Sequence, residues 1–198
     1  LSIKDIILEA KDDNRFGFEE PYSDLARALS RTQKGKNFKS LSDARQMVGD
    51  MVHGRLEFDD DKKEWQFRDN SRKVYEISMT SEGVKKLSIL DLLLGNHYLD
   101  DKSIIIIDEI EANLHPSLIT RLLDTIQLLA QAGVQFFIAS HSYFVIKRLY
   151  IMAHRADCSI PVLSFENGEC VVGNLQHQMP QNPIIDESIN LYKDEISL

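Results

Sequence analysis

The stretch Ser103-Ile104-Ile105-Ile106-Ile107-Asp108-Glu109-Ile110-Glu111-Ala112-Asn113-Leu114-His115-Pro116 constrains this chain more than any other. Four consecutive isoleucines do not alternate with polar residues. They predict a strand buried on both faces, as in a parallel sheet with helices on each side. Two carboxylates follow where that strand leaves the core, and the carboxyl end of a parallel strand is where a ligand crevice is expected. An Asp-Glu pair there suits nucleotide hydrolysis, with one carboxylate holding Mg²⁺ through water and the next polarising an attacking water. A buried strand followed by an acidic turn accounts for the same residues equally well, so the rest of the chain has to decide.

Downstream, Pro116 suits the first position of a helix. Leu118, Ile119, Leu122, Leu123, Ile126, Leu129 and Ala130 then form one apolar face that Gly133 ends. Val134–Ala139 reads as a second buried strand, and it delivers Ser140-His141-Ser142. A strand–helix–strand of this length is a βαβ unit, so its strands should be parallel and their carboxyl ends should share one edge of the sheet. Asp108, Glu109 and His141 are thereby predicted to meet at one crevice. A lone histidine after a strand is more often structural than catalytic; its company with Asp108 and Glu109 is what makes His141 a candidate.

Upstream, the periodicity predicts helices over Ile3–Ala10, Tyr22–Arg31 and Leu41–Val52, a helical lobe over residues 1–55. The period then changes to two. Leu56 and Phe58, Trp65 and Phe67, and Tyr75, Ile77 and Met79 predict a small antiparallel meander, with turns at Asp59–Lys63 and Asp69–Ser71. Trp65 belongs to its core rather than to a stacking platform. A helix led by Thr80-Ser81-Glu82-Gly83 runs to Leu94 and stops at Gly95-Asn96. Ser81 is an N-cap in the ordinary account. The same start, a small hydroxyl and a glycine before free backbone N–H groups, is also a ready phosphate site. After His141, Tyr143–Arg155 predicts a helix, and a hairpin follows around Asn167-Gly168. A last helix over 183–198 has Ile184, Ile185, Ile189, Leu191 and Ile196 available to line a docked face.

Composition narrows the function classes. Hydrophobic residues make up 43% and charged residues 27% of 198, as in a soluble globular chain, and no apolar run approaches a membrane span. A formal net charge of −8 argues against general nucleic-acid binding. The basic run Arg31–Lys39 is the local exception and reads first as a solvated loop. The turn at Asn167-Gly168 sets Cys170 opposite Phe165, so Cys158 and Cys170 are not expected to bond, which fits a cytoplasmic location. No signal peptide is visible before the first amphipathic pattern, and the chain does not begin with Met.

Taken in order, Ser81-Glu82-Gly83 at a helix start, IIIIDEIEANLHP and a strand ending in His141 resemble the C-terminal half of an ABC-type ATPase head. The resemblance is to the RecF/SMC-like branch, and within it to the AAA-named ATPases of the OLD-like kind found in bacterial anti-phage and overcoming-lysogenisation systems. It is close from Tyr75 to about Tyr150 and looser in the tail. It implies an α/β fold of the P-loop NTPase-like class, a parallel sheet flanked by helices. Residues 1–55 would form the helical lobe or insertion, and 56–198 the C-terminal half of the head, including the antiparallel meander. It further implies that ATP and Mg²⁺ are the cofactors and that Asp108 in the Walker B pair holds the metal. Glu109 would be the base that orients water, and His141 would contact the γ-phosphate or that water. Ser81 and Gly83 of the signature would touch the γ-phosphate bound on the opposite subunit, with Lys85 or Lys86 adding charge, although helix-surface lysines are usually only solvated. Asn113 lies in the stretch Glu111–Pro116 that matches the D-loop and is assigned to the nucleotide with them. Such heads are homodimers sandwiched around ATP.

Two departures from the family pattern stand out. No Gly-x-x-x-x-Gly-Lys-Ser/Thr occurs among the 198 residues, so the cradle for the α and β phosphates is expected upstream of Leu1. Glu82 stands where many ABC heads carry glycine. The resemblance implies a DNA-related or antiviral defence role, with DNA contact and a nuclease effector as candidate partnerships and no membrane. The alternative is an ATPase-derived scaffold that docks an effector without hydrolysis. A nuclease within this chain is disfavoured, because its six histidines show no metal-ligand spacing.

Overall fold

The computed structural model describes residues 28–29, 39–59, 61–62, 64–166 and 168–198. The helices expected at Ile3–Ala10 and over most of Tyr22–Arg31, and the basic run except Lys39, lie outside these residues. So does most of the expected helical lobe. Contacts divide the chain into two compact units, residues 1–105 with 124–136, and residues 106–123 with 137–198.

In the first unit, α1 (Lys39–Val52) buries Leu41, Ala44, Val48, Met51 and Val52. These positions recur at three- and four-residue steps and form one stripe. Strands β1 (Gly54–Asp59) and β2 (Glu64–Asp69) pair antiparallel, with Phe58 opposite Trp65. Their rings meet edge to face at 5.4 Å, so Trp65 is spent on packing. A side chain at Gly54 would run into the Phe67 ring, which makes glycine necessary there.

The third strand is shorter than the alternation predicts. Strand β3 covers only Val74–Glu76, and Ile77–Met79 is a 3₁₀ turn closed by Thr80 N–H donating to the Ile77 carbonyl at 3.1 Å. Pairing with β2 runs only over Gln66–Arg68, and beyond it the backbone satisfies itself locally.

One cluster on this sheet carries a pH signature. Arg68 donates to Glu57 at 2.6 Å and Arg55 donates to it at 2.5 Å. Chiefly through Arg68, they hold the Glu57 carboxyl below its ordinary range. A folded pKa below the unfolded one contributes stability that is present above the unfolded value and lost as pH falls through the folded one. Between about pH 7 and about pH 3, Glu57→Gln is therefore expected to lose less stability than the parent chain. Urea midpoints at the two pH values measure this, and equal losses would contradict it.

Helix α2 (Glu82–Gly95) starts at the N-cap Ser81, whose Oγ accepts the Val84 N–H at 3.3 Å. It buries Leu87, Ser88 and Leu94. Arg45 of α1 reaches across to Asp91 at 3.3 Å, and its guanidinium lies over Gly95. Asn96 caps the end and donates to the Ala28 carbonyl at 2.8 Å.

Strand β4 (Ile104–Ile107), helix α3 (Pro116–Gln131) and strand β5 (Gln135–Ile138) form the central strand–helix–strand. Both units contribute residues to all three elements. Gln135 N–H bonds the Ser103 carbonyl and Ala139 N–H bonds the Ile107 carbonyl, each at 2.9 Å. The bonded residues advance together along both strands, so the pair is parallel, as the βαβ length requires. Pro116 opens α3, and Ile119, Leu122, Leu123, Ile126 and Leu129 are buried along it.

Burial of the strands corrects the expectation. Both are half-buried on one side and exposed on the other, with Ile104 61%, Ile106 79% and Phe137 52% exposed. A parallel sheet hides both faces only when both are covered. Among the described residues this two-stranded sheet has cover on one face.

Gly133, which ends the α3 segment, has φ +107°, and a Cβ there would lie 2.6 Å from the Asp101 carbonyl oxygen. Gly133→Ala is expected to cost about 1–3 kcal/mol of stability in a denaturation experiment. A change near zero would show that the turn relaxes freely.

In the second unit, α4 (Tyr143–Arg155) buries Val145, Met152 and Ala153. Strands β6 (Pro161–Glu166) and β7 (Glu169–Asn174) form the expected hairpin, with Phe165 opposite Cys170. Both cysteines are free. Helix α5 (Pro183–Ile196) begins at Asn182, whose Oδ1 accepts the Ile185 N–H at 3.1 Å. It packs on α4 but buries only Ile185, while Ile189, Leu191 and Ile196 stay exposed, so the docked face is narrower than its apolar residues suggest. Among the described residues no helix is long and apolar enough to cross a membrane.

Candidate active site at the carboxyl end of the parallel strands

The site begins where β4 runs out of ladder. Asp108 and Glu109 follow Ile107 and are both exposed, while the next side chain, Ile110, is fully buried. Ile110 is thus an apolar pin that holds two carboxylates out of the core. The chain then turns tightly, with Ala112 N–H donating to the Glu109 carbonyl at 2.9 Å and Leu114 N–H to the Glu111 carbonyl at 3.1 Å. The turn puts Glu109 at φ +46° and Asn113 at φ +61°, left-handed values that a side chain resists. Such strain persists where surrounding structure imposes it, and it clusters at functional sites.

His115 ends this loop and starts α3. Its Nδ1 lies 2.8 Å from Ser117 Oγ and accepts the Ser117 N–H at 3.3 Å, satisfying one of the donors left free at a helix start. It serves the helix.

Strand β5 delivers Ala139 and then Ser140-His141-Ser142 before α4. Glu111 reaches this turn across thirty residues of sequence. Its Oε2 accepts from Ser140 Oγ at 2.8 Å and its Oε1 accepts the His141 backbone N–H at 2.9 Å. The sequence singled out Glu111 only as part of a loop, because nothing local distinguishes this carboxylate from a solvated one. The parallel pairing and this double bond hold the loop of Asp108 and Glu109 and the turn of His141 together within the second unit.

Ser81, Gly83 and Lys85 belong to the first unit. Ser81 is exposed, and its Oγ is engaged as the helix cap. Gly83 is buried in the first turn, and Lys85 pairs with Glu82 at 2.6 Å. Glu82, the departure from the glycine common in ABC heads, therefore partners the nearest lysine.

For a cation, Asp108 offers one exposed carboxylate. Among the described residues no three His, Cys, Asp or Glu side chains gather as a metal cage. That donor set suits Mg²⁺, which keeps several waters and takes one or two carboxylates together with substrate phosphates. It does not suit zinc, which takes three or four side-chain ligands.

Comparison with known proteins adds the family. The family described as "AAA domain, putative AbiEii toxin, Type IV TA system" matches residues 4–147. The chain belongs to this AAA-domain family. The match takes in the helix start at Ser81, the Asp108-Glu109 pair and His141, and the fold of this AAA-domain chain is α/β of the P-loop NTPase-like class.

No curated protein matches the chain. Among solved structures it is similar to an SMC head bound to the C-winged helix domain of ScpA, at 18% identity and a TM-score of 0.49, over 69% of this chain and 42% of that one. It is similar to an SMC ATPase solved in a study of ATP-driven dimerization and DNA-stimulated activation, at 17% and 0.48, over 79% and 91%. A third is the Pyrococcus furiosus Smc head with an extended coiled coil, bound to the C-terminal domain of ScpA, at 16% and 0.48, over 94% and 44%. The chain spans less than half the length of the first and third.

Proposed function

We propose that this AAA-domain chain is the catalytic-base and signature half of an ABC-type ATPase head that hydrolyses ATP. One observation carries the reading. Asp108 and Glu109 leave β4, and His141 leaves the parallel β5, with Glu111 bonding the two turns. A scaffold needs none of these groups at a shared edge, whereas phosphoryl transfer needs charge, a positioned water and a contact to the transferring group.

In this reading Asp108 would hold Mg²⁺ through water, and the ion would supply positive charge against the charge that develops on the transferring phosphoryl group. Glu109 accepts the proton of the attacking water, and His141 contacts the γ-phosphate or that water. Ser81, Gly83, Lys85 and Asn113 are proposed as nucleotide contacts from an opposing copy. The cap bond of Ser81 leaves its second lone pair and its hydroxyl proton for that purpose. The phosphate cradle comes from a P-loop outside these 198 residues.

The partner reading rests on the resemblance to ABC-type heads. A signature that acts on the opposite subunit requires a homodimer closed around ATP. The family's description as an AAA domain of a putative AbiEii toxin and type IV TA system supports service in a defence or DNA-related system in the cytoplasm. A nuclease effector remains part of the proposal.

The test is phosphate release by the intact protein with and without Mg²⁺. Asp108→Ala is expected to lower release by about 100-fold or more by removing the metal's carboxylate. Release that ignores both Mg²⁺ and Asp108 would remove Asp108 from the site.

A further inference from the structure

We infer that Glu111 is a positioning residue that ties the Asp108–Glu109 loop to the His141 turn and so sets where His141 stands during hydrolysis. The inference rests on the ATPase reading above and adds to it a residue and a means of coupling.

Glu111 is half-buried, and each of its carboxylate oxygens accepts one hydrogen bond, Oε2 from Ser140 Oγ and Oε1 from the His141 backbone N–H. Ser140 Oγ in turn accepts the Ser142 N–H at 3.1 Å. One carboxylate therefore organises three consecutive residues after β5. Bonds to an ionised carboxylate are about twice as strong as neutral ones, so this pair makes a firm tie between the two turns.

The simplest competing account is helix capping. Ser142, the N-cap of α4, makes no side-chain cap bond, and Ser140 Oγ supplies an acceptor just before the helix. That explains Ser140. It does not explain why both oxygens of a carboxylate thirty residues away converge on Ser140 and His141. Nor does it explain why that carboxylate sits two residues past Glu109, on a loop pinned by the buried Ile110.

The bond to His141 is through its backbone, and the residue is exposed. Glu111 fixes the place from which the imidazole swings while leaving the ring to the substrate. A displacement of the loop then carries Glu109 and His141 together. This couples the group that takes the proton to the group that meets the phosphate.

The experiment uses the intact protein with Glu111→Ala, Glu111→Gln, Ser140→Ala and the Glu111→Ala/Ser140→Ala pair. Turnover and nucleotide affinity are read separately. Exchange of the backbone amides of residues 139–142 is followed beside those of α3 and α4. Glu111→Ala is expected to lower kcat by about 100-fold with nucleotide affinity unchanged, as misplacement of a catalytic group does. Glu111→Gln keeps one acceptor oxygen, so its loss is expected to be about tenfold smaller. The double variant should be no worse than Glu111→Ala, because both changes break one network. The His141 amide should exchange at least about tenfold faster in Glu111→Ala while α3 and α4 keep their protection.

Normal turnover in Glu111→Ala, with Glu109→Gln inactive, would overturn the positioning role and leave the ATPase reading standing. So would loss of protection throughout α3 and α4, which would make Glu111 merely structural. A parent protein that releases no phosphate would remove the ATPase reading, and the positioning role with it.

Discussion

Glu109→Gln in the intact protein is expected to bind ATP and to turn it over about 1,000-fold more slowly than the parent. Glutamine keeps the length and shape of the side chain but cannot take a proton, so binding and chemistry separate. The reaction would then stop with ATP in place, and in the proposed homodimer that state is the closed one. Light scattering is expected to find a dimer that requires ATP and persists in the variant. The position has a second signature. Glu109 has φ +46°, which a glycine adopts without strain. Glu109→Gly is therefore expected to abolish turnover, while relief of the backbone strain offsets part of the stability lost with the side chain. Turnover that survives either substitution would remove Glu109 from the mechanism.

Ile110→Ala is expected to cost about 2–5 kcal/mol of stability, because the side chain is fully buried and its loss leaves a cavity. The effect on activity should exceed what unfolding alone explains. Ile110 lies between Glu109, which is exposed, and Glu111, which bonds the His141 turn. Without the pin, both carboxylates lose their fixed exit from the strand. Ile110→Val, which removes one methylene, is expected to cost about 0.5–1.5 kcal/mol and to keep most activity. Urea denaturation, and phosphate release measured well below the unfolding midpoint, separate the two effects. An alanine variant with parental stability would show that the loop does not depend on this anchor.

Much of the site was legible in the sequence because periodicity and connection length are local properties. Gly133 and Pro116 bounded α3, and the length of the crossover dictated parallel strands. Parallel strands then put Asp108, Glu109 and His141 on one edge. The hairpin register that set Phe165 opposite Cys170 followed from one turn.

Cover was not legible. Ile104–Ile107 announces an apolar strand, yet which faces find partners depends on elements elsewhere, and Ile104 and Ile106 lie exposed. The run from Tyr75 to Met79 failed for a related reason. Alternation marks which side each residue prefers but not where the partner strand stops, and β2 offers β3 only three partners. Glu111 was illegible as an organiser because its meaning is a contact across thirty residues between two turns. The parallel sheet that made the Asp108–His141 edge predictable also brought Glu111 within reach. A carboxylate on the same loop was the available signal.

The claim that Glu109 and His141 serve ATP hydrolysis is tested most directly by single-turnover phosphate release from Mg²⁺·ATP on the intact protein, comparing the parent with Glu109→Gln and His141→Ala. The account predicts a burst of phosphate from the parent that needs Mg²⁺, and none from Glu109→Gln despite bound nucleotide. It predicts release slowed by about 100-fold in His141→Ala. Phosphate released by Glu109→Gln at the parental rate, or none from a parent that holds ATP, would contradict it.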